Sequence, residues 1–300
     1  LSEGRGLQDL YSYEKYRTIS KESKKKYFWQ FKLQIILLLT IAFLSLFPSF
    51  NDERDTIRHV IELILIISVF IIMISQYKSN YINGWQSSRF LAETILSNAW
   101  LFVWKSKPFD LNEEESENIF REIIRKLKNE INVQDFDWLY VDQKGRISIE
   151  EPSNLMITLR NSNIDSKKYN YVQTRLKNQI CWYSEKASFN KMRSTQCFWA
   201  GLLLMGTGAI LTVLIIAKWL PDLSYLGFFT TASASVFSWS QAERYDKLKI
   251  TYDLSAYELR EFEQKINRMS NEDELVELIE NIENVISREH KIWLEKKQMR

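Results

Sequence analysis

The pattern that most restricts this chain is a duplication of apolar hairpins. Leu33 to Ser75 and Cys197 to Trp239 each read as two apolar runs joined by a short polar turn. A charged lead-in precedes each hairpin, and a helix-prone return segment follows, opening at Trp85 in the first half and Trp239 in the second. The runs Ile35 to Phe47 and Leu202 to Ala217 hold no charged side chain and have no polar face, as expected of helices in a bilayer rather than in a soluble core. About 20 residues cross the hydrocarbon region, so spans are predicted over about 33–50, 60–76, 197–220 and 223–240. With 45% hydrophobic and 26% charged residues, the spans must coexist with a sizeable polar body.

Charge sets the predicted orientation. Lys15, Arg17, Lys21, Lys24, Lys25, Lys26 and Lys32 precede the first run, and Lys177, Lys186, Lys191 and Arg193 precede the third. The hairpin turns carry only Arg54 with Arg58, and Lys218. Positive charge stays on the cytoplasmic side, which predicts a multi-pass inner (plasma) membrane protein with both termini cytoplasmic. The polar lead-in does not read as a signal peptide, so Leu33 opens an internal span. A net charge of +2 gives no case for a nucleic acid polymer as partner; Lys24 to Lys26 suit anionic lipid headgroups better. Cys181 and Cys197 both fall on the predicted cytoplasmic side and read as reduced packing residues. No Cys/His spacing suggests a metal, no cofactor is expected, and neither His59 nor His290 neighbours a nucleophile motif, so no enzyme is predicted.

The predicted fold is therefore mainly α, with two two-helix transmembrane hairpins, long cytoplasmic helical extensions and a small α+β insert. Residues 1–109 form the first two-span unit, 110–168 the insert, and 169–300 the second unit. Tyr11 to Gln30 is predicted to run as one helix into the first span, which ends at Pro48, with Asn51 to Arg58 as a polar loop. The second span is predicted to pass without a break into a helix that Pro108 ends, and the fourth to return as Gln241 to Arg268. In the insert, Asn112 and Glu115 resemble a capping box ahead of Ile119, Ile123, Leu127 and Ile131. Phe136, Trp138 and Tyr140 alternate before the turn Asp142 to Gly145, predicting a β-hairpin with Ile147 and Ile149, and a further strand over Leu155 to Leu159. This insert is either a partner-binding module or a spacer. Leu275, Leu278, Ile282, Val285 and Ile292 form one apolar stripe, predicting helix-on-helix packing.

Candidate functional residues cluster near the predicted membrane surface. Trp85, Arg89 and Glu93 share one helix face, where Arg89 can pair with Glu93. Arg175, Gln179, Trp182, Tyr183 and Lys186 occupy the lead-in to the third span. These two groups are read either as packing and interfacial anchors or as a coupling site. On the fourth span, Ser224, Gly227, Thr231, Ala234, Ser235 and Ser238 cluster small and hydroxylated side chains at helical spacing, with Thr230 and Ser233 close by. Such a face either lines a water-filled path in an assembly or lets helices approach closely. Gly201, Met205 and Gly208 on the third span predict close helix contact. Glu62 is the one acidic side chain within an apolar run; it either snorkels to the interface or contributes to a cation-attracting outer mouth.

The order of these motifs resembles a known family. Trp85-x-x-x-Arg89-x-x-Ala92-Glu93, with Pro108-Phe109 beyond it, resembles the post-membrane motif of SLATT domains, two-transmembrane effector domains associated with bacterial nucleotide-signalling systems. Tyr171-x-x-x-Arg175-x-x-x-Gln179-x-x-Trp182-Tyr183-x-x-Lys186-Ala187 resembles the pre-membrane motif, and Glu289-His290-x-x-Trp293 the C-terminal ending. The first lead-in retains only Tyr16-Arg17 and Trp29. The resemblance implies a membrane effector of anti-phage or other conflict systems that oligomerises and forms a pore after a trigger, either a nucleotide second messenger or a protein. Two other functions are compatible with the residues: a membrane-anchored scaffold or sensor whose insert and C-terminal helix bind a partner, and a constitutive small-ion channel.

Overall fold

The computed structural model describes residues 7, 10–47, 52–131, 136, 151–221 and 225–298. Among these the chain is mainly α-helical and has no strand. The helices are α1 (Tyr11–Leu44), α2 (Asp52–Ser79), α3 (Tyr81–Val103), α4 (Glu113–Ile131) and α5 (Asn154–Arg160) in the first half of the chain. There follow α6 (Ile164–Tyr171), a π-helical turn (Val172–Leu176), α7 (Lys177–Ile216), α8 (Tyr225–Glu243), α9 (Tyr245–Arg268) and α10 (Glu272–Gln298).

Two compact units divide the chain. Leu1–Lys24, Tyr81–Glu185 and Tyr252–Arg300 form the first; Lys25–Asn80 and Lys186–Thr251 form the second. The first has the core of a soluble domain. Leu91, Ile95, Leu96, Ala99 and Trp100 of α3 are buried at helical spacing, and α10 brings Leu275, Ile279, Ile282 and Ile286 to pack on α3. The predicted α10 stripe is thus a packing stripe, with Leu278 and Val285 also buried; the Ile292 side chain lies outside the described residues. In α4 the buried positions are Ser116, Phe120 and Ile124, one residue round from the predicted Ile119 and Ile123, which are half-buried. The Glu115 amide donates to Asn112 Oδ1 at 2.9 Å, as the predicted cap requires.

The second unit has almost no such core. Among the described residues, three stretches are long and apolar enough to cross a membrane, within Tyr11–Leu44, Glu53–Val103 and Ile164–Ile216. Only 6%, 6% and 11% of their most apolar windows are buried inside the chain, so this apolar surface is left uncovered. The apolar parts of these helices are 33–44, 60–76 and 197–216. α8 is not among the three; its hydroxylated residues dilute its hydropathy.

Several boundaries differ from the sequence reading, and the causes are local. The Leu155 to Leu159 run is helical, because Ser153 caps α5 by accepting from the Met156 amide; a short apolar run alone fits strand or helix. Asn51 to Arg58 is not all loop, since α2 starts at Asp52. The expected unbroken helices are interrupted at Asn80 (φ 46°) and Arg244 (φ 59°). α3 ends before Pro108: Lys105 (φ 54°) turns left-handed and lets the Ser106 amide donate back to the Leu101 carbonyl. Lys218 (φ 62°) ends α7 the same way, with the Trp219 amide donating to Leu214. α1 is continuous from Tyr11, as predicted, and ends at Leu44. Pro48 and the predicted β-hairpin of Phe136 to Ile149, apart from Phe136 itself, lie outside the described residues.

Candidate functional site

The first unit encloses a polar network at its centre. The π-turn presents Arg175 inward, where its guanidinium is fully buried. Nε and Nη2 donate to the two carboxylate oxygens of Glu283 on α10 at 3.1 and 2.8 Å, a bidentate pair. Nη1 lies 3.5 Å from Glu93, and Nη2 is 3.4 Å from the Ser97 hydroxyl. Glu283, itself 2% exposed, also accepts from Tyr171 (2.9 Å) and Ser97 (2.7 Å). A buried charge pair is stable only when its remaining lone pairs and protons are satisfied, and here three side chains do so, Glu93 and Ser97 of α3 and Tyr171 of α6. Burial alone would lower the Arg175 pKa, but Glu283, Glu93 and Tyr171 more than offset it and hold the group above its ordinary range. Burial, reinforced by Glu283, pushes the Tyr171 phenol well up.

Aromatic and cationic contacts flank this network. The Arg89 guanidinium sits 5.6 Å over the Trp182 ring, and against Tyr252 of α9 Trp182 packs edge-on and Tyr183 at a tilt. The Tyr183 hydroxyl donates to the Ile286 carbonyl of α10 at 3.3 Å. Trp85 accepts from Ser20 through its carbonyl (3.0 Å), and its ring lies under the Lys24 ammonium at 4.9 Å. Gln179 is half-buried on α7. Of the predicted coupling residues, the structure therefore gathers Trp85, Arg89, Glu93, Arg175, Trp182 and Tyr183 into one unit, and Glu93 reaches Arg175. Lys186 belongs to the second unit, exposed, with its ammonium over Phe189.

In the second unit, α7 and α8 pack through small residues. Ser233, 2% exposed, donates to the Gly201 carbonyl at 3.0 Å, and Ala232 is buried beside it. A Cβ at Gly201 would come within 2.6 Å of the Phe237 ring, and one at Gly208 within 2.9 Å of Phe229. The predicted close contact therefore uses these two glycines, whereas Met205 is exposed. Gly227, Ala234 and Ser238 are exposed, Thr231 and Ser235 half-exposed; Ser224 lies outside the described residues. Thr231 and Ser235 donate their hydroxyl protons to carbonyls one turn back, Gly227 and Thr231. Glu62 stays local, 3.9 Å from Arg58 and 3.2 Å from His59, while Arg58 donates to the Phe47 carbonyl.

Sequence reasoning missed Glu283, Ser97 and Arg160. Arg160 of α5 is buried and donates to the Phe102 carbonyl, to those of Phe109 (2.9 Å) and Leu111 (3.0 Å), and to the Ser116 hydroxyl (3.0 Å), tying the segment after α3 together. The one available signal for Glu283 was its place beside Ile282 on the apolar face of α10.

A helical chain with uncovered apolar helices in one unit and a packed apolar core in the other defines a helical membrane protein. More closely, it belongs to the SLATT family: residues 12–168 match the SMODS and SLOG-associating 2TM effector domain 3, and residues 171–293 match domain 1 of the same name. Nothing among curated proteins or solved structures matches the chain.

Proposed function

We propose that the chain is a membrane effector of a bacterial nucleotide-linked or anti-phage conflict system, acting as a homo-oligomer that opens a pore in the inner membrane on a cytoplasmic signal. The observation that carries the reading is the tandem match to two 2TM effector domains on a chain whose apolar windows are left uncovered. Two such domains imply four spans in two hairpins, with α8 as the fourth. Its hydroxyls support a role facing water in an assembly: Thr231 and Ser235 spend their protons on their own helix and keep oxygen lone pairs for water or a cation. Glu62, at the outer end of α2, would contribute charge at the mouth. The signal would act on the first unit, where Arg89 and Trp182 meet, because α1 and α7 each contribute to both units.

The test is ion flux from liposomes holding the purified full chain, with and without a panel of cyclic oligonucleotides. Beside it runs a variant carrying Thr231→Leu and Ser235→Leu. Flux that the variant abolishes supports a path lined by α8, and dependence on one nucleotide names the trigger class. Arg89→Ala and Lys186→Ala should impair triggering while leaving membrane insertion intact. Absence of flux under every condition overturns the pore reading in favour of a membrane-anchored scaffold or sensor.

A further inference from the structure

The helix leading into the third span contains one residue more than its packing uses. From Leu176, the last residue of the π-turn, along α7 to Ser194 the buried positions are Leu176, Ile180, Tyr183, Ala187, Asn190 and Ser194, alternating four and three residues apart. Extended upstream, that rhythm calls for positions 173 and 169. Gln173 and Tyr169 are instead exposed, Tyr169 at 67%, and the buried side chains are Arg175, Val172, Tyr171 and Lys167. The stripe slips by one residue at the place where the helix widens into the π-turn, with the Lys177 amide donating to the Val172 carbonyl five residues back. A π-turn inside an α-helix absorbs an inserted residue while both flanks keep their packing. Arg175 lies inside the turn, and its bidentate bond to Glu283 ties the turn to α10.

We propose that this turn is a stored register step: the Arg175–Glu283 pair holds the extra residue in place, and loss of the pair lets the turn close into α-helix, re-phasing α7 by one residue. Closure corresponds to roughly 100° of rotation and ~1.5 Å along the axis. α6 is anchored independently, by the Asn163 cap, by Lys168 donating to the Met269 carbonyl at 2.7 Å, and by Lys167 beside Glu272 at 3.6 Å, so α7 is the part that turns. The inference rests on the proposed function only in taking α7 as the element that carries a signal to the membrane. The step itself is readable without any flux.

Cross-linking in the full chain reads the phase of α7 directly. Ser194 donates to Asp246 at 2.7 Å, so with Cys181 and Cys197 replaced by Ser, a Ser194→Cys/Asp246→Cys pair should form a disulfide. In the re-phased helix, position 193 takes the place of 194. The expected result is that Glu283→Gln reverses the preference, from the 194/246 pair to Arg193→Cys/Asp246→Cys, and that deleting Gln173 in the same protein restores 194/246. An unchanged preference in Glu283→Gln overturns the proposal. The deletion alone is a second, independent test: removing Gln173 should keep the 194/246 cross-link, whereas removing Glu185 from the ordinary α-helical part should lose it. Equal loss in both deletions means that no residue is stored, and overturns the proposal. A register shift without liposome flux would leave the step standing and count against the pore alone.

Discussion

Removing either partner of the Arg175–Glu283 pair should be the costliest single truncation of a polar side chain in the first unit. Glu283→Ala leaves a fully buried guanidinium with Glu93, 3.5 Å away and 22% exposed, as its nearby carboxylate and the Ser97 hydroxyl at 3.4 Å, and takes the acceptor from the Tyr171 and Ser97 hydroxyls. Breaking a buried pair by removing one partner costs roughly 3–5 kcal/mol, and each stranded hydroxyl adds on the order of 1 kcal/mol. Glu93 recovers part of this, so about 4 kcal/mol is expected. For a unit of this size that is a fall in Tm of about 8–16 °C. Trp100, buried and edge-on to Tyr171 at 5.1 Å, makes intrinsic fluorescence in detergent the natural melting probe. Arg175→Met should cost as much, yet Arg175→Met combined with Glu283→Leu should regain most of the loss, because an apolar pair carries no desolvation penalty. A fall below about 2 °C for Glu283→Ala, or strictly additive single and double variants, would refute the claim that the pair is buried and coupled.

Other substitutions follow from specific contacts. Gly201→Ala should weaken α7–α8 packing by about 1–3 kcal/mol, since its Cβ meets the Phe237 ring, while Gly206→Ala, with open space around it, should melt at or above wild type in the same detergent assay. Arg160→Lys should lose about 2–3 kcal/mol by thermal melting, because an ammonium cannot span three carbonyls and a hydroxyl as the fork does. Tyr13, in the first unit, is pushed up to about 12 from 10.0, by burial first and by Glu93 second. Its folded form holds the proton more tightly than the unfolded chain, so its contribution is full below pH 10 and is lost as pH rises toward about 12. Tyr13→Phe should therefore remove up to about 2–3 kcal/mol of the alkaline destabilisation seen in pH-dependent melts.

How much of this was legible in the sequence depends on which physical signal carried it. The stripe of α10 and three of the four apolar runs follow from composition and period: the stripe is buried and the three runs fall in helices long and apolar enough to cross a membrane, whereas the run at 223–240 lies on α8, which is not among them. The helix breaks were not legible, because Asn80, Lys105, Lys218 and Arg244 are not glycine or proline. A left-handed turn at such residues costs about 1–2 kcal/mol, and only the packing of the flanking helices decides that it is accepted. The strand predicted at Leu155 to Leu159 failed for a related reason. Its five residues satisfy either period, and Ser153, two residues outside the run that suggested it, settles the matter.

The candidate site was legible only one helix at a time. Spacing on a single helix suggested that Arg89 can pair with Glu93, and i,i+4 geometry permits it, worth a few tenths of a kcal/mol in water. The folded chain offers each of them something stronger: an indole face for Arg89 from Trp182, and for Glu93 a share of a guanidinium buried more deeply than either. The partner that dominates Arg175, Glu283, lies 108 residues away, a pairing that no local pattern encodes. Even the inward placement of Arg175 depends on the π-turn, because the α7 rhythm continued without it calls for Gln173 at the buried position. The residue that a strict helical reading would bury is exposed, and the one that binds Glu283 reaches the core because the helix widens by one residue where it passes α10.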